Sequence, residues 1–124
     1  MLTHKNKVLL IEDSESTRLL YRRILESDGF YVIEAENGKN GLKLALETKP
    51  DLIILDLILP DIHGLEVLKS VRSDTKTKSI PVLVLTTVKE AEEVQKTMNL
   101  GANYYAYKGN ASPQKVLDIV HQLL

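Results

Sequence analysis

Four short apolar runs are spaced along the chain: Val8–Ile11, Tyr31–Ile33, Leu52–Leu55 and Val82–Leu85. Each is too short for a helix and is dominated by branched residues. Near-continuous runs of that kind are the mark of strands buried on both faces, as in a parallel sheet covered by helices. Tyr104–Tyr107 is a fifth, weaker run.

Helical spacing fills the intervals. Ser14 supplies a cap for a first helix through Leu20, Tyr21 and Ile24, which Gly29 stops. Leu42, Leu44, Ala45 and Leu46 mark a second helix, closed by Pro50. Leu65, Val67, Leu68 and Val71 mark a third, and Val94, Met98 and Leu100 a fourth that ends at Gly101. Ser112 followed by Pro113 is a cap and a first-turn proline, opening a fifth helix through Val116, Leu117, Val120 and Leu123. The strand–helix unit thus repeats five times. Strict alternation predicts an α/β fold, a parallel sheet with right-handed crossovers. In open sheets of this type, sites form beyond the carboxyl ends of the strands.

Composition narrows the class. The 124 residues are expected to form one domain, 1–124, large enough for its own core. With 44% hydrophobic and 27% charged residues, the chain has the make-up of an ordinary globular protein. A net charge of -1 gives no global case for direct nucleic acid binding or for an anionic membrane. The absence of cysteine excludes disulfides and thiolate metal sites and fits a cytoplasmic protein. Before the first acidic pair the apolar stretch is only Val8–Ile11, too short for a signal peptide. No segment approaches the roughly 20 apolar residues of a membrane span. Neither low-complexity tracts nor tandem repeats are present.

The candidate chemistry lies at the ends of the runs. The first ends in Glu12-Asp13, the third in Asp56, the fourth in Thr86-Thr87 and the fifth in Lys108. A parallel sheet brings all of them to one edge. Asp56 stands inside IILDLILPD, where an unpaired carboxylate is costly to bury. Three neighbouring carboxylates repel one another, and a cation relieves that. Oxygen-only ligands favour a hard ion, here Mg²⁺. Lys108 can offset the charge of Asp56, and Asp56 can act as a nucleophile. A cation, Lys108 and Thr86 can then stabilise a phosphoryl group in transfer.

Glu12-Asp13, Asp56 with Pro60 and Gly64 in DLILPDIHG, Thr86, Gly101-Ala102, Tyr105 and Lys108 together resemble the response-regulator receiver domain of two-component signalling, across essentially the whole chain. The resemblance implies a flavodoxin-like, doubly wound (βα)5 fold with strand order 2-1-3-4-5. It implies that Asp56 takes a phosphoryl group from a histidine kinase or histidine phosphotransfer protein. It implies Mg²⁺, or Mn²⁺ in its place, held by Asp13, Asp56, the backbone carbonyl of Ile58 and Glu12, directly or through water. Lys108 and Thr86 would hold phosphoryl oxygens. Tyr105 would turn inward when Thr86 moves, changing the face of the fourth helix, fifth strand and fifth helix for an output partner, or for a second copy. Such a domain is a two-state switch that catalyses only its own phosphorylation and slow dephosphorylation.

The chain departs from the family pattern in places. Gly109 stands where proline usually follows the lysine. A cis bond without proline costs about 2.5–4 kcal/mol, so a trans Lys108–Gly109 bond and a more pliable loop are expected. Thr87 is larger than the usual small residue and is expected to crowd the phosphoryl pocket. Ile58 and Val88 are apolar where an attacking water would pass, which predicts a long-lived aspartyl phosphate.

Other groups have two readings. Arg18, Arg22 and Arg23 are either a kinase-docking patch or a solvated face paired with Glu15 and Glu26. Tyr104 and Tyr107 are packing or surface residues, His63 is an exposed loop residue, and His4 and His121 carry no signal. A haloacid-dehalogenase-type phosphatase would need a second acid at Ile58. A flavin or nucleotide carrier would need a glycine- or hydroxyl-rich loop in place of Glu12-Asp13-Ser14. A pseudo-receiver that docks partners without phosphorylation stays open as the alternative, resting on Thr87 and Gly109.

Overall fold

The strand–helix unit does close five times in the structure, a computed structural model that describes residues 5–124; His4 lies outside the described residues. The strands are β1 (Lys7–Ile11), β2 (Tyr31–Ala35), β3 (Leu52–Leu55), β4 (Val82–Thr86) and β5 (Tyr104–Tyr107). The helices are α1 (Glu15–Ser27), α2 (Gly38–Thr48), α3 (Gly64–Ser73), α4 (Ala91–Asn99) and α5 (Pro113–Leu123). All pairings are parallel and the order is β2-β1-β3-β4-β5, the flavodoxin-like arrangement that the family resemblance implies.

The two faces of the sheet explain the unbroken apolar runs. Val8, Leu10, Leu52, Ile54, Leu83 and Leu85 point to one side, against Tyr21 and Leu25 of α1 and Val116, Ile119 and Val120 of α5. Leu9, Ile11, Ile53, Leu55, Val82 and Val84 point to the other, against Ala45 of α2 and Val67, Leu68 and Val71 of α3. Successive strand residues face opposite ways, so a sheet covered twice needs an apolar residue at every position.

Helix boundaries follow local chemistry. Ser14 Oγ accepts from the Thr17 amide and Ser112 Oγ from the Lys115 amide, while Pro113 needs no donor in the first turn. α1 and α4 end in the same paired hydrogen bonds: Gly29 N to Glu26 O with Phe30 N to Leu25 O, and Gly101 N to Met98 O with Ala102 N to Thr97 O. No helix among the described residues is long and apolar enough to cross a membrane.

Three helix faces differ from the sequence pattern. Leu20, Leu46 and Met98 are exposed. α2 instead buries Gly38, Gly41 and Ala45, because Gly41 lies directly against the Ile11 side chain. α4 buries Thr97, whose hydroxyl donates to the Glu93 carbonyl at 2.6 Å and so enters the interior without an unpaired polar atom.

Candidate functional site at the carboxyl edge of the sheet

Parallel register brings the strand ends together. Ile11 is level with Leu55, Leu55 with Val84, and Thr86 with Tyr107. The ladder runs one step further: the Glu12 amide donates to the Ala35 carbonyl and the Asp56 amide to the Ile11 carbonyl. The side chains of Glu12 and Asp56 are thereby fixed side by side, with Asp13 at the rim. One carboxylate oxygen from each of the three acids lies within 4.8 Å of the others.

Glu12 is 3% exposed and Asp56 6%, whereas Asp13 is exposed. Both buried carboxylates are fully partnered. Lys108 Nζ donates to Asp56 Oδ2 at 2.9 Å and also to Glu12 Oε1. Asp56 Oδ1 accepts from the Ile58 amide and Glu12 Oε2 from the Ser14 amide, each at 3.1 Å. One ammonium thus serves two buried acids, the condition under which such burial is tolerated. Burial pushes the Glu12 carboxyl above its ordinary value, against the opposing pull of Lys108 and the Ser14 amide. Burial acts to lower Lys108, but its hydrogen bonds to Glu12 and Asp56 outweigh that and hold the ammonium above its ordinary value.

The loop after β3 is shaped by Gly64. Its amide donates to the Leu57 carbonyl at 2.8 Å, and a Cβ there would lie 2.5 Å from both the Asp56 carbonyl oxygen and the Leu57 Cα. No side chain fits. The tight loop leaves the Ile58 side chain 52% exposed, with its amide on Asp56.

Thr86 and Tyr105 meet at Val88. The Thr86 hydroxyl, fully buried, accepts from the Val88 amide at 3.4 Å, and the Tyr105 hydroxyl donates to the Val88 carbonyl. Burial raises the Tyr105 phenol above its ordinary value, helped by Glu93, Glu90 and Asp56. Tyr105 also borders a groove of about 640 Å³ over β5, between α4 and α5, whose walls include Lys89, Tyr104, Tyr107, Asn110 and Lys115.

The Lys108–Gly109 peptide is trans, as expected, and opens a single 3-10 turn over Lys108–Asn110. The loop is not bare, however. A Cβ on Gly109 would lie 2.3 Å from Cε2 of Tyr107, so the ring occupies the space that another residue would fill, and the Lys89 ammonium sits 5.6 Å from the ring centre. Thr87 is exposed.

Three residues take part in ways the sequence did not reveal. Arg18 does not join a solvated face: it donates to the Glu12 carbonyl at 2.8 Å and pairs with Glu34, while Arg22 pairs with Glu26 and Glu34. Asp61 accepts from the amides of Gly38 and Lys39, at 2.8 and 2.9 Å, and so caps α2 from a distant loop. Burial acts to raise the Asp61 carboxyl, but those amides hold it below the ordinary range. His63 is exposed, as expected, but its Nδ1 also accepts from the Leu65 amide and caps α3. The partners of Arg18 and Asp61 are 16 and 22–23 residues away for the side-chain contacts named, beyond any local motif.

The three acids fit a hard divalent cation: every donor is an oxygen, and one from each acid lies within reach of a common ion. A profile described as the response regulator receiver domain matches residues 8–121. The chain is 34% identical over 107 residues to the polar-differentiation response regulator DivK of Brucella anthropi, covering 86% of this chain and 87% of DivK. It is 39% identical over 102 residues to the transcriptional regulatory protein CusR of Escherichia coli, covering 82% of this chain and 44% of CusR. The structure of the chemotaxis protein CheY4 of Vibrio cholerae matches with a TM-score of 0.91 at 31% identity, over 98% of this chain and 100% of that one. Sheet order, acidic edge and these likenesses agree: the chain belongs to the response regulator receiver domain family, the signalling domain of two-component systems.

Proposed function

We propose that residues 1–124 act as a single phosphoacceptor receiver domain in which Asp56 takes a phosphoryl group from a histidine kinase or histidine phosphotransfer protein. The observation that carries this reading is the Lys108 ammonium shared between Asp56 and Glu12, with Asp13 beside them. An Asp56 oxygen attacks phosphorus, the bond from phosphorus to the donor histidine nitrogen breaks, and the imidazole keeps that electron pair and takes up a proton. Positioning and charge neutralisation carry most of such a transfer. Lys108 neutralises one phosphoryl oxygen, and the Thr86 hydroxyl donates to another once it rotates away from the Val88 amide. Asp13, Asp56, Glu12 and the Ile58 carbonyl would hold Mg²⁺, or Mn²⁺, which supplies the remaining positive charge at the transferring oxygens.

Output follows from Val88. Thr86 and Tyr105 both bond to that residue, so a Thr86 hydroxyl turned toward phosphate alters the support of Tyr105 and the groove it borders. The groove presents Lys89 and Lys115 beside three tyrosines, a surface suited to a partner with acidic and apolar groups. A histidine-kinase donor implies action in the cytoplasm. The exposed Thr87 and the packed Gly109 leave every acceptor group in place, which supports phosphorylation over partner docking alone.

The test is chemical mapping. Protein incubated with acetyl phosphate is reduced with borohydride, which converts an aspartyl phosphate to homoserine. Homoserine at position 56, formed with Mg²⁺ and absent with EDTA, is the expected result. Homoserine elsewhere, or none with either Mg²⁺ or Mn²⁺, overturns the proposal.

A further inference from the structure

Arg18 closes the first turn of α1, and its side chain is 14% exposed. Its Nη1 donates to the carbonyl of Glu12 at 2.8 Å and faces the carbonyl of Asp13 at 3.4 Å. Its Nε donates to Glu34 Oε1 at 3.2 Å, and Arg22 holds the other oxygen of Glu34 at 2.8 Å. One guanidinium therefore clamps two consecutive peptide carbonyls of the acidic pair, and a carboxylate on the neighbouring strand β2 fixes its direction. The opposite side of the same loop is already tied down, by the Glu12 amide on Ala35 and the Ser14 amide on Glu12 Oε2. Arg18 restrains the loop from its carbonyl side.

We infer that Arg18 is a positioning residue for divalent-cation binding: it orients the peptide planes of Glu12 and Asp13 so that both carboxylates converge with Asp56. The inference rests on the reading of the acidic edge as a cation-assisted phosphoacceptor site. Asp13 depends most on this clamp, because its side chain is exposed and the backbone sets the position of its Cβ, from which the carboxylate must reach the site. The planar fork of arginine spans the two carbonyls and Glu34 at once, and the single ammonium of lysine does not.

The sign of the effect separates positioning from charge. A guanidinium near a cation site repels the cation, so removing it on electrostatic grounds alone would tighten binding. Removing a clamp loosens it. Outer partners that hold ligands typically carry about 10- to 100-fold in metal affinity.

Mn²⁺ affinity, read from the loss of the free-ion electron paramagnetic resonance signal, is measured for wild type, Arg18→Met, Arg18→Lys and Glu34→Gln. Thermal midpoints are taken without metal. Arg18→Met is expected to weaken Mn²⁺ binding about tenfold, within the range of such outer partners. Arg18→Lys is expected to restore little of it, and Glu34→Gln to give a smaller loss while keeping the arginine stem packed. Equal or tighter binding by Arg18→Met overturns the inference, as does a lowered midpoint with unchanged affinity below it. Should Arg18→Met fail to fold, unchanged affinity in Glu34→Gln and Arg18→Lys overturns it alone. A wild type that binds no Mn²⁺ refutes the underlying reading of the site, and the inference with it.

Discussion

Lys108 and Asp56, 52 residues apart in the chain, are joined by an ammonium–carboxylate contact of 2.9 Å, and the same ammonium also serves Glu12. The pair accounts for an acid buried among apolar strand residues. It also makes Lys108 the stand-in for other cations. Lys108→Ala leaves two buried carboxylates facing each other, and breaking such a pair costs roughly 3 kcal/mol. Urea unfolding with EDTA at neutral pH is expected to show a loss of that order, with the gap narrowing in saturating Mg²⁺. An equal loss with and without Mg²⁺ would separate Lys108 from the cation site.

Phosphate lifetime is expected to be long. Ile58 is exposed and Val88 half-buried, and both are apolar; if they flank the path of an attacking water, as the family resemblance implies, neither can orient it. Polar groups that move protons from an attacking water typically contribute about 10²–10⁴-fold in rate. Ile58→Asn combined with Val88→Glu is therefore expected to speed loss of the aspartyl phosphate by at least about tenfold. Time courses after removal of the phosphodonor measure this, and an unchanged rate would refute the role of the two side chains.

Two glycines near the site are expected to respond differently to a methyl group. At Gly64 the added Cβ meets backbone atoms of Asp56 and Leu57, which cannot turn aside. Gly64→Ala is expected to cost about 1–3 kcal/mol, as overpacking does. At Gly109 the Cβ meets the free end of the Tyr107 ring. Gly109→Ala is expected to cost less than Gly64→Ala, and a Tyr107→Ala background should remove the cost. Denaturant midpoints of the four variants decide it.

The acid-side stability should carry the mark of Asp61. Its carboxyl is held below 3.8 by the Lys39 and Gly38 amides against the effect of burial, so the ionised form stabilises the folded state. That contribution is present above the unfolded value of 3.8 and is lost as pH falls through the lower folded value. Asp61→Ala is expected to melt lower than wild type at neutral pH, with the two converging below pH 3.8. Lys108 works at the other end: its raised value gives stability present below 10.5 and lost as pH rises beyond it.

Much of this architecture is legible in the sequence because it rests on local pattern. The runs at Val8–Ile11, Leu52–Leu55 and Val82–Leu85 are buried on both sides, so nothing interrupts them. Ser14, Ser112 and Gly101 mark helix ends through contacts made within a turn. Glu12, Asp13, Asp56 and Lys108 converge because parallel pairing brings the carboxyl ends of the strands to one edge. What local pattern does not carry is contact across the chain. Arg18 looks like a surface arginine until β2 places Glu34 beside it. Asp61 looks like a loop acid until the loop reaches the start of α2. Thr97 enters the core because its hydroxyl bonds within its own helix, while Met98, the better apolar residue, faces out.

The most direct measurement is the intact mass of the protein after incubation with acetyl phosphate and Mg²⁺, for wild type and Asp56→Asn. A gain of one phosphoryl group in wild type and none in Asp56→Asn is the expected result. An equal gain in both, or no gain in either with Mg²⁺ or Mn²⁺, would contradict the assignment of Asp56 as the phosphoryl acceptor.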